Sequence, residues 1–177
     1  MARGRPSLSL VEAALLLGLL AVVLVVFVPT FLRSVRTNKI SEAAELLQVL
    51  SHRTAAYYDT TWPGGARGCL PPAAGPTPEL PSMESNEVDF FAPEATGHAS
   101  WEALGFQPKR PIRFSYRYTP ERHGCELGDA TLPTVVVFQA QGDLDGDGVR
   151  SSFERRASVD AKGFTSAEAL MVQHRTE

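Results

Sequence analysis

The chain has 177 residues, with 17 Lys and Arg against 20 Asp and Glu, a formal net charge of −3 and an apolar fraction of 44%. That length allows one domain of ordinary size beside an N-terminal segment. The scattered basic residues, not gathered beside aromatics, argue against nucleic acid as a partner. The apolar content is uneven and concentrates at the start of the chain.

A short arm carrying Arg3 and Arg5 leads into Ser7-Leu8-Ser9-Leu10-Val11-Glu12, and an apolar run continues to Val28. As a helix, residues 8–32 would span about 37 Å against roughly 30 Å of hydrocarbon. A secretory signal has a shorter apolar stretch and a small-residue cleavage site after it. Here Phe31-Leu32-Arg33 follows instead. A plain anchor fits the length, with the arginines inside, but leaves Glu12 unexplained. A carboxylate in hydrocarbon costs several kcal/mol unless a partner neutralises it. Another copy of the same segment supplies that partner most economically; the alternative is a carboxylate snorkelling to the headgroups.

Residues 33–58 contain neither Gly nor Pro and place Ile40, Ala44, Leu47, Leu50, Thr54 and Tyr57 at spacings of three or four. That periodicity predicts an amphipathic helix with one stripe facing a domain, and with Arg36, Lys39, Glu42 and Glu45 mostly elsewhere. Joined, the two halves predict one helix of about 50 residues, or about 75 Å. Pro29 lacks an N–H and is expected to kink or loosen it.

These residues carry a resemblance. The segment resembles the class III signal and spine helix of type IV pilins and pseudopilins. That family has a short basic leader, a small residue before the cut, an apolar residue after it and Glu at the fifth mature position. Ser7 stands where the family usually has Gly, Leu8 where it usually has Phe; Glu12 falls fifth, and Pro29 falls twenty-second, where many members also have proline. The resemblance implies that residues 1–7 are a leader removed by prepilin peptidase, and that Leu8 becomes a methylated N-terminus. Residues 8–32 would then be the transmembrane and filament-core half of the spine, 33–60 its amphipathic half, and 61–177 a β-rich head. It implies that Glu12 meets the Leu8 amine of a neighbouring subunit, offsetting the burial of both charges and fixing axial register. Other pilin subunits and inner-membrane assembly machinery would be the partners. The chain would sit in a bacterial inner membrane, N-terminus cytoplasmic and head periplasmic, before entering a periplasmic or extracellular filament.

Beyond Tyr58 the composition changes. Pro63 to Pro81 holds six prolines and four glycines, which excludes helix or central strand and predicts a loop over the domain. Trp101 to Phe106 predicts a short helical turn ending at Gly105. Ile112 to Tyr118 alternates with period two, placing Phe114, Tyr116 and Tyr118 on one face of a strand. Thr134 to Gln139 is the clearest strand and Phe153 to Val159 a weaker one. The tail from Glu168 to His174 fits a helix start, from Thr165 and Glu168, or a last strand. An antiparallel sheet of three or four strands laid on a long helix gives an α+β fold without reference to any family, and matches pilin architecture.

Cys69 and Cys125 are the only cysteines. In an exported domain a single pair most simply forms one disulfide, tying the Pro-rich loop to the segment between two strands. No CxxC spacing or paired histidines support a metal or redox role.

The one constellation that carries chemistry runs from Asp143 to Glu154. Asp143, Asp145 and Asp147 occupy loop positions one, three and five, Gly148 position six, Val149 seven, Ser151 nine and Glu154 twelve, the pattern of a calcium loop. Calcium takes six to eight hard oxygens, and alternate residues of a tight turn converge on one point. The preceding strand pattern and Arg150 at position eight point to a lone loop between strands, not a paired EF-hand. The alternative is an Asp/Gly-rich hairpin turn without an ion. Glu154 is the ligand most exposed to a conflicting reading, since it can already lie on the next strand.

No catalytic set emerges: His52, His98, His123 and His174 are dispersed and no phosphate loop is visible, so an enzyme is not expected. Two classes remain. One is a structural subunit, a pilin, minor pilin or pseudopilin for adhesion, motility, DNA uptake or secretion, its head stapled by a disulfide and calcium. The other is a monomeric membrane-tethered domain whose calcium loop or Pro-rich loop recognises a surface.

Overall fold

The computed structural model describes residues 9–127, 133–160, 162–166 and 169–173, and for residues 29–40 the backbone alone. The described residues form two helices and six strands: α1 Leu10–Asp59, β1 Ala74–Thr77, α2 His98–Leu104, β2 Ser115–Pro120, β3 Thr134–Gly142, β4 Ser151–Asp160, β5 Gly163–Ser166 and β6 Met171–Gln173. The fold is α+β, with a long N-terminal helix and an antiparallel sheet. The chain divides into two units, Met1–Ile40 and Ser41–Glu177.

In the first unit, Leu10–Val28 is long and apolar enough to cross a membrane, with mean hydropathy 2.9 over 19 residues and none of it buried. The backbone remains helical through Pro29. Ser7 and Leu8 lie outside the described residues.

The second unit is built around a sheet of order β1-β2-β3-β4-β5, with β6 also paired to β4 and every pairing antiparallel. The longest strands sit at its centre: β3 alternates buried and half-buried from end to end, and β4 largely follows. That is the period-two signature of a strand with one covered face. Tyr116 pairs with Ala140, which pairs with Phe153, so a small side chain lies between two large rings. As expected from the alternation, Phe114, Tyr116 and Tyr118 are all buried, although β2 itself begins at Ser115.

Two expectations are corrected and one open alternative is resolved. The sheet has six strands among the described residues rather than three or four. The Pro-rich stretch contributes β1, which takes the sheet's edge beside β2; that is where missing N–H donors are tolerated. Thr165 lies in β5, and within the tail Met171–Gln173 is strand, while Glu168 and His174 lie outside the described residues. β5 and β6 share the outer edge of β4 end to end, pairing with 157–160 and 152–154 respectively.

On α1 the stripe buried in the second unit is Ala43, Leu47, Leu50, Thr54 and Tyr58, with Ser51 beside it. This is the expected period shifted by one residue at Ala44 and at Tyr57, which are only half-buried, while the Ile40 side chain lies outside the described residues. Ser51 reaches Ser166 on β5 through their hydroxyls at 2.8 Å. Glu42, expected off the stripe, is instead turned toward β2. Its Oε1 accepts hydrogen bonds from the backbone N–H of Arg113 at 2.8 Å and of Phe114 at 3.4 Å, and its Oε2 faces the Arg113 guanidinium at 3.5 Å.

Beside the sheet, Phe90, Trp101, Phe106 and Tyr116 pack at ring-centroid distances of 5.3 to 6.4 Å. The buried Trp101 indole donates to Thr77 Oγ1 at 3.1 Å, tying α2 to β1. The helix stops where the sequence suggested. Gly105 adopts φ 62°, and the N–H of Phe106 returns to the carbonyl of Trp101 at 2.9 Å, closing a C-terminal cap that a side chain at Gly105 would strain.

Candidate functional site

The acidic loop joins β3 to β4. One ligand oxygen from each of Asp143, Asp145 and Asp147 lies within 4.8 Å of the others. Two oxygens on opposite sides of one calcium ion, each at about 2.4 Å, would be about 4.8 Å apart, so the three carboxylates are spaced to share an ion. Asp143 shapes the turn as well: Oδ1 accepts from Gly146 N–H at 2.8 Å and Oδ2 from Gly148 N–H at 3.2 Å. Asp147 Oδ1 accepts from Val149 N–H at 2.7 Å. Gly148 sits at φ 88°, a conformation that a side chain would strain.

The other two side chains of the pattern are engaged elsewhere. Ser151 is buried at the start of β4 and donates to the Gly142 carbonyl at 3.2 Å, closing the strand pair. Glu154 lies on β4, where its Oε1 takes the Arg156 Nε–H at 2.7 Å. The structure therefore brings together the three aspartates, with Val149 in the same loop, and does not bring Glu154 into that cluster. The residues present fit a cation held by three carboxylates and further oxygens from the loop backbone or solvent. Such an ion would supply charge neutralisation and a staple for the turn.

At the helix start, Glu12 has a partner within its own chain. The Ser9 backbone N–H donates to Glu12 Oε2 at 2.8 Å, and the Glu12 N–H donates to Ser9 Oγ at 3.2 Å. This is a reciprocal capping box, satisfying one of the donors a helix terminus leaves open. The Ser-x-x-Glu spacing of Ser9 and Glu12 is its signal in the sequence. Glu42 gave no such signal, because its register on the helix looked solvent-facing.

Cys69 and Cys125 are joined in a disulfide, as expected, across 56 residues of sequence. Two tyrosines of β2 resist ionisation. Burial, then the Glu42 carboxylate, push the Tyr116 hydroxyl well above its ordinary value. Tyr118 is also raised, first by burial and then by Tyr57.

Comparison with family models, curated proteins and solved structures finds no match to any of the three. What can be said of function therefore rests on this chain's own residues. The class they define is an α+β chain with an apolar, exposed N-terminal helix, able to serve as a membrane anchor or signal sequence, and a disulfide-bonded domain.

Proposed function

We propose that this chain is a structural subunit of the type IV pilin or pseudopilin kind, which polymerises through its N-terminal helix after removal of residues 1–7. The observation that carries this reading is Glu12, the sole charged residue between Leu10 and Val28, placed fifth after the Ser7-Leu8 junction. A passive anchor can use such a carboxylate to cap its first turn, whereas an assembling helix can in addition pair it with the new Leu8 amine of the next subunit. The large apolar side chains from Leu10 to Val28 are all exposed and need lipid or other helices as cover. In this reading the chain begins in a bacterial inner membrane with its head exported and then joins a filament. The Cys69–Cys125 bond and a calcium ion on Asp143, Asp145 and Asp147 staple the head, and the work is mechanical rather than catalytic. Prepilin peptidase, other subunits and the membrane assembly machinery are the partners.

One observation favours the second reading, a monomeric tethered domain that binds calcium or a surface: the Ser9–Glu12 box already satisfies Glu12 without a second copy. Glu12→Ala separates the two. In the subunit reading the variant stays in the membrane as a folded protein and is lost from sheared filaments; its normal incorporation would defeat the charge-pairing role.

A further inference from the structure

The two cysteines sit in a short antiparallel ladder outside the main sheet. Leu70 and Gly124 exchange both backbone hydrogen bonds at 2.8 Å, and the N–H groups of Glu126 and Leu127 donate to the carbonyls of Arg67 and Gly68 at 2.9 and 3.2 Å. Stepping one residue from the Leu70–Gly124 pair puts Cys69 directly opposite Cys125, at a position where the strands exchange no hydrogen bond. The disulfide is therefore a rung between two strands already held by backbone bonds on either side, and the ladder does not depend on it for register.

The rung is also unequal in access. Cys69 is 3% exposed, whereas Cys125 is exposed. Both cysteines line an open, mainly apolar cavity of about 320 Å³, walled by Tyr57, Pro71, Ala103 and His123 among others. Exposed disulfides are the ones open to thiol exchange. Attack needs a thiolate in line with one sulfur, and the cavity that both cysteines line leaves room for an incoming thiol.

We propose that Cys125 is a thiol-exchange site, so that the bond can be opened and closed in the folded protein by a dithiol partner such as the reactive segment of a thiol–disulfide oxidoreductase. The thiolate of the dithiol attacks Cys125 Sγ. The Cys69–Cys125 bond breaks, its electron pair leaves on Cys69 Sγ, and that thiolate takes a proton from water. The second thiol of the partner then loses its proton to water, attacks the partner's own sulfur in the mixed disulfide and releases Cys125 as a thiolate, which takes up a proton. Two electrons pass from the dithiol, which becomes a disulfide, to the protein, which now carries two thiols. Opening the rung frees the Pro-rich segment around Cys69 from its covalent tie to 123–127 and leaves the strands from β2 to β6 intact. Such a site would work equally in a fibre subunit and in a tethered domain.

The test uses the full wild-type chain in detergent micelles, with reduced glutathione as the probe and no denaturant. Thiols are trapped by alkylation over time, the glutathione adduct is mapped by peptide mass spectrometry, and far-ultraviolet circular dichroism follows the sheet. The expected result is reduction at a rate within about tenfold of that in denaturant, with glutathione found on Cys125 and the sheet signal retained. A bond that resists glutathione until the sheet unfolds, or an adduct found equally on Cys69, would overturn the proposal.

Discussion

Leu10–Val28 and Ser41–Asp59 belong to one helix, yet the first stretch exposes every large apolar side chain while the second buries Ala43, Leu47, Leu50, Thr54 and Tyr58. Backbone geometry is shared, so the difference lies in what each stretch must be covered by. The second meets a sheet of its own chain, and its apolar residues follow a 3.6-residue stripe with polar residues between. The first is apolar all round, which suits surroundings that are apolar all round, whether lipid or neighbouring helices. Helicity alone therefore says little about what a segment of α1 does; the angular distribution of its apolar residues says more.

The same substitution made in both stretches should break that symmetry most visibly. Leu47→Ala opens a cavity at a fully buried site and should cost about 2–5 kcal/mol of domain stability. Leu19→Ala, at a site 66% exposed, should leave thermal unfolding of the domain within about 0.5 kcal/mol of wild type. Equal losses in the full chain in detergent would mean that the first stretch contributes to the domain after all. Trp101→Ala sets the upper mark at about 3–5 kcal/mol, since it removes a fully buried ring of the aromatic cluster and the indole bond to Thr77.

Calcium should stabilise only through the second unit. At a hundredfold excess over its dissociation constant, an ion bound to the folded state adds about 2.7 kcal/mol. Titrating calcium should therefore raise the melting temperature of wild type but not that of Asp145→Ala. An equal loss for Asp145→Ala in chelator would mean that the turn's own hydrogen bonds, not an ion, hold the loop. Next in size, Glu42→Ala should cost about 1.5–3 kcal/mol, because it strands backbone donors at 113 and 114 and the half-buried Arg113. Exposed Glu45→Ala, one turn away, should cost little, and similar losses at both would assign the effect to net charge.

The smallest effect is at alkaline pH. Tyr116 and Tyr118 hold their protons more tightly when folded, so their contribution is fully present below the ordinary tyrosine value of about 10 and is lost as pH rises above it. Ultraviolet titration should find Tyr116 and Tyr118 ionising only with unfolding. Tyr116 and Tyr118 titrating near pH 10 in folded protein would contradict the burial of both.

Strong periodicity made much of the fold legible. Alternation located β2, the β-branched run located β3, and Gly105 marked the end of α2. What escaped depended on partners distant in sequence. β1 contains Gly75 and Pro76, and is a strand only because β2 offers it an edge. β5 and β6 are short and exist by pairing with β4. Glu42 looked solvent-facing because hydropathy counts a carboxylate as polar whether or not backbone donors await it. At the acidic loop the three aspartates converge because alternate residues of a turn must, whereas Glu154 follows the strand and pairs with Arg156. The Ser9–Glu12 box was legible and outweighed by the louder signal of a charge in an apolar run.

The central claim is that Glu12 serves an assembling helix whose N-terminus is created by cleavage. Intact mass and N-terminal sequence of the chain recovered from native membranes or sheared fibres test it most directly. The account predicts a chain that begins at Leu8 with a methylated amine; one still beginning at Met1 or Ala2 would contradict it and leave a tethered domain.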